Sequence, residues 1–86
     1  MKLKALITDI EMFTDRNEQD YWIIRTKNPN LADFQLTSDY LAFSSDLKAE
    51  SKELLTDYPH KLVNRIIQLT LTEEKKVVEI DFRGST

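Results

Sequence analysis

Cysteine is absent from this 86-residue chain, and glycine, histidine and tryptophan occur once each. Without cysteine there are no disulfides, no thiolate nucleophiles and no sulfur-ligated metal sites. Gly84 is the sole glycine, which excludes a glycine-rich phosphate-binding loop. The single histidine, His60, follows Pro59. One histidine without cysteine provides too few of the usual ligands for a zinc site, so we expect His60 to be an exposed loop residue. We therefore predict no enzyme activity, no metal and no cofactor.

Long apolar runs are also missing. No stretch of the sequence approaches the ~20 apolar residues that a membrane-spanning helix needs. Residues 1–4 lead into an alternating sequence rather than into the apolar core of a signal peptide. We therefore expect a cytoplasmic protein with no membrane contact, and the lack of cysteine agrees with that location.

The residues that are present suit a small folded domain. Hydrophobic residues make up 41% of the chain and charged residues of both signs 31%, so the chain can form a core and remain soluble. With 86 residues there is room for one core, which predicts a single domain over residues 1–86. The net charge of −3 argues against a dedicated nucleic-acid-binding domain, because such domains usually carry a basic stripe.

Alternating apolar and polar residues predict strands near both ends of the chain. The first two strands are expected at residues 2–13 and 21–26, joined by the charged segment 15–20 as a hairpin loop. A second hairpin is expected from strands at residues 69–71 and 77–82. The alternation that predicts the first of these strands already begins at Ile67.

Between the two hairpins, residues 39–57 are predicted to form a helix capped by Thr37 or Ser38. Apolar residues recur there at helical spacing: Tyr40, Phe43, Leu47, Leu54 and Tyr58. Ser44 and Ser45 weaken this pattern, so a break followed by a new helix capped by Asp46 is the alternative. Residues 31–36 could be a short strand or a helix start, and residues 62–71 could be helix, strand or both.

These elements predict an α+β domain of ββαββ order, with a mainly antiparallel sheet of about four strands and one helix packed on one face. The expected core is Leu6, Ile10, Trp22, Ile24, Phe43, Leu47, Leu54, Ile67, Leu69, Val78, Ile80 and Phe82. The first strand has apolar residues at both its odd-numbered and its even-numbered positions, which we call its two alternating sets, and Val77 and Val78 are adjacent. This pattern indicates more apolar surface than one helix covers. A homodimer or a docked protein partner would cover the excess.

Acidic residues are concentrated in the first hairpin: Asp9, Glu11, Asp15, Glu18 and Asp20. A row of carboxylates on a rigid hairpin can present negative charge to a basic partner. The loop lacks the ligand spacing and the glycine of an EF-hand, so a solvated loop is the competing interpretation. We predict a non-enzymatic protein–protein interaction module that binds through this hairpin or through an open sheet face. Its size and charge would suit an accessory protein of a phage or mobile element, and equally a housekeeping subunit.

Basic and aromatic residues on the first two strands support a second hypothesis, a small protein that binds single-stranded nucleic acid. Its candidate contacts are Lys2, Lys4, Trp22, Arg25 and Lys27, which could neutralise and stack a single strand. A buried Trp22 is the competing interpretation, which we favour. Because neither a ribonucleoprotein signature nor helix-turn-helix spacing is present, nucleic-acid binding ranks second.

Overall fold

The structure, a computed structural model, describes residues 1–28 and 37–81. Five strands form one sheet: β1 (Lys2–Thr14), β2 (Asp20–Lys27), β3 (Thr37–Phe43), β4 (Ile66–Leu71) and β5 (Val77–Asp81). Helix α1 (Ala49–Asp57) and a 3-10 turn (Pro59–Lys61) connect β3 to β4. The α+β class and the antiparallel pairing are confirmed. The sheet has five strands rather than about four, because β3 precedes the helix.

Strand β1 lies at the centre of the sheet, whose order is β3-β2-β1-β4-β5. Its carboxyl-terminal part pairs with β2, and its amino-terminal part pairs with β4. Since β4 lies beside β1, the first four strands have the 4-1-2-3 order of a Greek key. Leu41 of β3 forms an isolated parallel bridge with Lys76, just before β5. The two edges of the sheet therefore approach each other, as in a partly closed barrel.

A β-bulge at Thr8 reverses the side-chain alternation of β1. Thr8 is an extra residue, because Ile7 and Asp9 lie opposite consecutive residues of β2. A bulge of this kind moves every later residue of its strand to the other face. Residues of both alternating sets therefore belong to the core or pack against it: Leu3, Ala5, Ile7 and Ile10. The apolar pattern of β1, the central strand, thus reflects a bulge.

Strand β5 contains a second bulge, at Val78. Leu71 of β4 lies opposite Val77, and the preceding residue of β4 lies opposite Glu79. Val77 and Ile80 therefore both face the core and are buried. The two bulges thus bring much of the apolar excess from which we expected a homodimer or a docked partner into one core, whereas Phe13 of β1 stays outside it.

Residues 37–43 form β3 instead of the first half of the predicted helix. The segment pairs with β2 along its whole length, which places Ala42 in the core and Tyr40 against it. Helix α1 begins at Ala49 after a turn, so the alternative with a break is closer to the structure. Lys48 rather than Asp46 is the N-cap residue, and its side chain makes no capping hydrogen bond.

The core agrees with the prediction in part. Five predicted members are buried: Trp22, Ile24, Ile67, Leu69 and Ile80. Three more pack against the buried residues: Ile10, Leu47 and Leu54. Three are half-buried outside that set: Leu6, Phe43 and Val78. The buried residues that we did not predict are Ala5, Ile7, Ala42, Leu55, Leu62, Leu71 and Val77.

Two segments, residues 62–71 and 31–36, were predicted with alternative secondary structures. Residues 62–65 are a turn that leads into β4, so 62–71 contains a strand and no α-helix. Residues 31–36, and Phe82 of the predicted core, lie outside the described residues. Over the part of the chain that is described, no helix is long and apolar enough to cross a membrane.

Helix α1 covers the outward edge of β5. The backbone N–H of Lys48 donates to the carbonyl of Val78 at 3.0 Å. The N–H of Ile80 donates to the hydroxyl of Ser51 at 2.8 Å, and Ser51 is 1% exposed. Unpaired groups on an edge strand invite association with other strands. These two hydrogen bonds satisfy such groups of β5 within the chain.

Replacing Ser51 by Ala should lower the free energy of unfolding by about 1–3 kcal/mol, because the buried N–H of Ile80 loses its acceptor. Urea unfolding followed by the fluorescence of buried Trp22 measures this. Ser45→Ala, in the exposed turn after β3, is the matched control: it removes an exposed hydrogen bond from Gln19 and should change stability by at most about 0.5 kcal/mol. Equal stability losses in the two variants would contradict a role for the Ser51 hydroxyl.

Candidate interaction surface

The outer face of the sheet, defined here as the side of β1, β2 and β3 turned away from the core, carries four cross-strand rows of side chains. The rows are Phe13, Tyr21 and Phe43; Glu11, Ile23 and Leu41; Asp9, Arg25 and Asp39; and Leu6, Lys27 and Thr37. The solvent-facing side of an antiparallel sheet is usually polar. Apolar side chains in two adjacent rows distinguish this face from an ordinary solvated surface.

The first row forms an aromatic ladder of Phe13, Tyr21 and Phe43. Ring centroids are 5.5 Å apart for Phe13 and Tyr21 and 5.7 Å apart for Tyr21 and Phe43. The Nζ of Lys76 lies 5.1 Å from the centroid of Phe43, where a cation is favourable. Phe13 and Leu41 are each 38% exposed. The rings are thus ordered by one another while part of the apolar surface remains accessible.

The third row and Glu11 of the second row form the Arg25 cluster, which consists of Arg25, Asp9, Glu11 and Asp39. The Nη1 of Arg25 lies 2.6 Å from Glu11 Oε1 and 3.0 Å from Asp9 Oδ2, and its Nε lies 3.9 Å from Asp39 Oδ2. The hydrogen bond and the charge of Glu11, followed by Asp39 and Asp9, raise the pKa of Arg25. One guanidinium and three carboxylates leave this cluster with surplus negative charge.

Two similar turns flank the aromatic ladder, at residues 15–19 and 72–76. In each turn the N–H of the first residue donates to the carbonyl of the fifth, at 3.0 Å and 2.9 Å. The fourth residues, Glu18 and Lys75, have φ values of 60° and 64°. Glycine usually occupies this left-handed position in a three-residue hairpin loop. Here both turns present charged side chains at that position instead.

The five predicted carboxylates of the first hairpin do not share one surface. Asp9 and Glu11 lie on the outer face. Asp15 accepts two backbone N–H bonds inside its own turn, at 2.8 Å and 2.9 Å, and Asp20 accepts a hydroxyl bond from the end of β1 at 2.8 Å. Glu18 is exposed at the tip of the turn. The structure therefore brings together two of the five and separates the other three.

The predicted nucleic-acid contacts are also dispersed. Lys2 and Lys4 are exposed on the part of β1 that pairs with β4, away from the aromatic ladder. Lys27 lies on the outer face in the row next to Arg25, and Arg25 is engaged by its carboxylates. Trp22 is 1% exposed, which confirms it as a core residue and removes it from any surface that could stack on a base.

Sequence reasoning missed the aromatic ladder and the contribution of Asp39. Both were hidden because residues 39–43 were assigned to a helix, in which their side chains would have spread around an axis. The alternation of Asp39, Leu41 and Phe43 against Tyr40 and Ala42 was the available signal. In a strand, this alternation puts Asp39, Leu41 and Phe43 on one side, and β3 has this arrangement.

Little else among the described residues indicates chemistry. His60 is exposed in the 3-10 turn, as expected. Residues 1–28 and 37–81 contain no group of three or more His, Asp or Glu side chains that could hold a metal ion. Comparisons of the chain with protein-family models, with curated proteins and with solved structures found no match.

Replacing Arg25 by Gln should destabilise the fold, because three neighbouring carboxylates then repel one another without a cation. The loss should be larger at about 0.01 M salt than at about 1 M salt, since salt screens exposed charges. Urea unfolding at the two salt concentrations measures this difference. Arg16→Gln, in the exposed hairpin turn, removes the same charge and should show little salt dependence. A loss for Arg25→Gln that is independent of salt would contradict the charge balance described above.

Proposed function

We propose that this protein is a small non-enzymatic interaction module, of accessory, inhibitor or adaptor type, that binds a protein partner through its outer face. The observation that carries the proposal is the presence of the aromatic ladder and the Arg25 cluster on one sheet face. Aromatic residues and arginine are enriched at the centres of protein interfaces and among their hot spots. Their location on paired strands reduces the conformational entropy lost on binding.

The charge of the outer face indicates the kind of partner. The Arg25 cluster has surplus negative charge, whereas Lys27 and Lys76 place positive charge elsewhere on the face. A basic group of a partner would be attracted to the Arg25 cluster and oriented by it. We therefore propose a partner whose basic residues surround an apolar pocket. We propose a cytoplasmic location for the complex because the chain lacks cysteine.

Binding of single-stranded nucleic acid is the second candidate, and the strand connectivity favours it. The fold resembles the OB-fold, a five-stranded and partly open Greek-key barrel. OB-folds use the face of strands 2 and 3, with the loops 1–2 and 4–5, to bind oligonucleotides and oligosaccharides. The aromatic ladder and Lys76 lie on the corresponding surface.

Three features place the nucleic-acid candidate second. The rings of the ladder cover one another, so they offer less face for base stacking than isolated aromatic residues would. Arg25 is neutralised by carboxylates, and Trp22 is buried. A similar fold does not by itself carry a function.

Affinity capture with paired variants tests the proposal. The tagged protein is incubated with a lysate of the organism that encodes it, and bound material is analysed for protein and for nucleic acid. Phe13→Ala and Leu41→Ala should each weaken capture of a specific protein about tenfold or more, as expected for interface anchors. Met12→Ala is the matched control, because Met12 is 59% exposed on the opposite face of the same strand.

The outcomes separate the candidates. A stoichiometric protein that is lost with Phe13→Ala, retained with Met12→Ala and released by salt supports the interaction module. Retention of a labelled single-stranded oligonucleotide with the same variant pattern supports the second candidate instead. Capture that is equally sensitive to Phe13→Ala and Met12→Ala, or self-association alone, contradicts both.

A further inference from the structure

A groove of about 710 Å³ lies between α1 and β5, in the size range of roughly 300–1,000 Å³ that is usual for ligand-binding clefts. Its apolar part is formed by Ala49, Leu54, Tyr58 and Ile80. Tyr58 is 39% exposed, so an apolar side chain that enters the groove can contact its ring. None of the groove residues belongs to the rows of the outer face.

The rim of the groove is acidic. Four carboxylates line it, from Glu50, Glu53, Glu79 and Asp81, against one ammonium group from Lys48. That ammonium group is paired with Glu79 at 2.6 Å, so it neutralises a carboxylate that is already part of the rim. The carboxylates of Glu50 and Glu53 favour a positively charged occupant and disfavour phosphate-bearing ligands.

The groove does not suit an added strand. Along the groove, the carbonyl of Val78 and the N–H of Ile80 are already bonded to Lys48 and Ser51. Strand addition needs such edge groups to be available. Side chains must therefore provide the recognition. The ring of Tyr58 already has the Nζ of Lys61 at 4.5 Å from its centroid, so we assign to this ring an apolar contact and not a second cation.

We propose that this groove is a docking site for a basic peptide segment of a partner protein, with Lys or Arg at the carboxylate rim and an aliphatic side chain against Leu54 and Tyr58. The site does not depend on the function proposed for the outer face. With both surfaces occupied, the chain would link two protein segments.

The probe is a short synthetic peptide of Lys, Arg and Leu, titrated into the isotope-labelled protein and followed by backbone amide NMR shifts. Shifts should centre on α1 and β5, and the same peptide with Glu in place of each basic residue should produce none. The double variant Glu50→Gln/Glu53→Gln should weaken binding about fivefold or more, the size expected from losing two exposed charge contacts. Tyr58→Ala should also weaken binding, through loss of the apolar contact.

Glu18→Gln/Glu73→Gln is the matched control, because it makes the same change in net charge at exposed turn residues outside the groove. It should leave the affinity within about twofold, well below the effect of two lost charge contacts. Gln preserves side-chain length and helix propensity, and thermal melts verify that each variant is folded. Shifts that centre on the outer face, equal weakening by the two double variants, or no binding of the basic peptide would each overturn the groove proposal. Failure of the groove proposal would not contradict capture through Phe13 and Leu41, because those residues lie on a separate surface.

Discussion

A single extra residue in the central strand determines both faces of this sheet. Without the bulge at Thr8, the apolar residues on its two sides would face in opposite directions, and β1 could not contribute both halves to one core. The Oγ1 of Thr8 donates to the carbonyl of Arg25 at 3.2 Å, which ties the bulge to β2. The same register brings Asp9 and Glu11 to the guanidinium of Arg25 and Phe13 to Tyr21.

The core and the proposed surfaces are therefore products of the same strand pairing. Trp22 and Ile24 are buried in the core, while Tyr21, Ile23 and Arg25 between and beside them form the outer rows. At the other edge of the sheet, Ser51 bonds to the backbone of β5 and leaves side chains as the means of recognition there. Both proposed interactions thus use rows of side chains on a rigid frame, and neither requires an exposed strand edge.

The local sequence pattern was sufficient to predict an element where a single periodicity, strand-like or helical, dominated the segment. The first hairpin, the strand β4 and the burial of Trp22 follow from alternation within a few residues. The pattern failed at β3, because spacings of three and four between Tyr40, Phe43 and Leu47 also fit a helix. Pairing with β2 decides that segment, and such pairing depends on residues distant in the sequence. We could identify Arg25, Asp9 and Glu11 as candidates from the first hairpin alone. We could not identify Phe43 as a ladder partner or the contact of Asp39 with Arg25, because both depend on the pairing of β3 with β2.

Deletion of Thr8, compared with Thr8→Ala, tests the central role of the bulge most directly. Urea unfolding followed by Trp22 fluorescence should show that Thr8→Ala costs about 1 kcal/mol, the value of one hydrogen bond. The deletion should cost more than about 4 kcal/mol or abolish folding, because it turns half of β1 away from the core. A deletion variant with the stability of Thr8→Ala and an unchanged amide NMR spectrum would contradict this account.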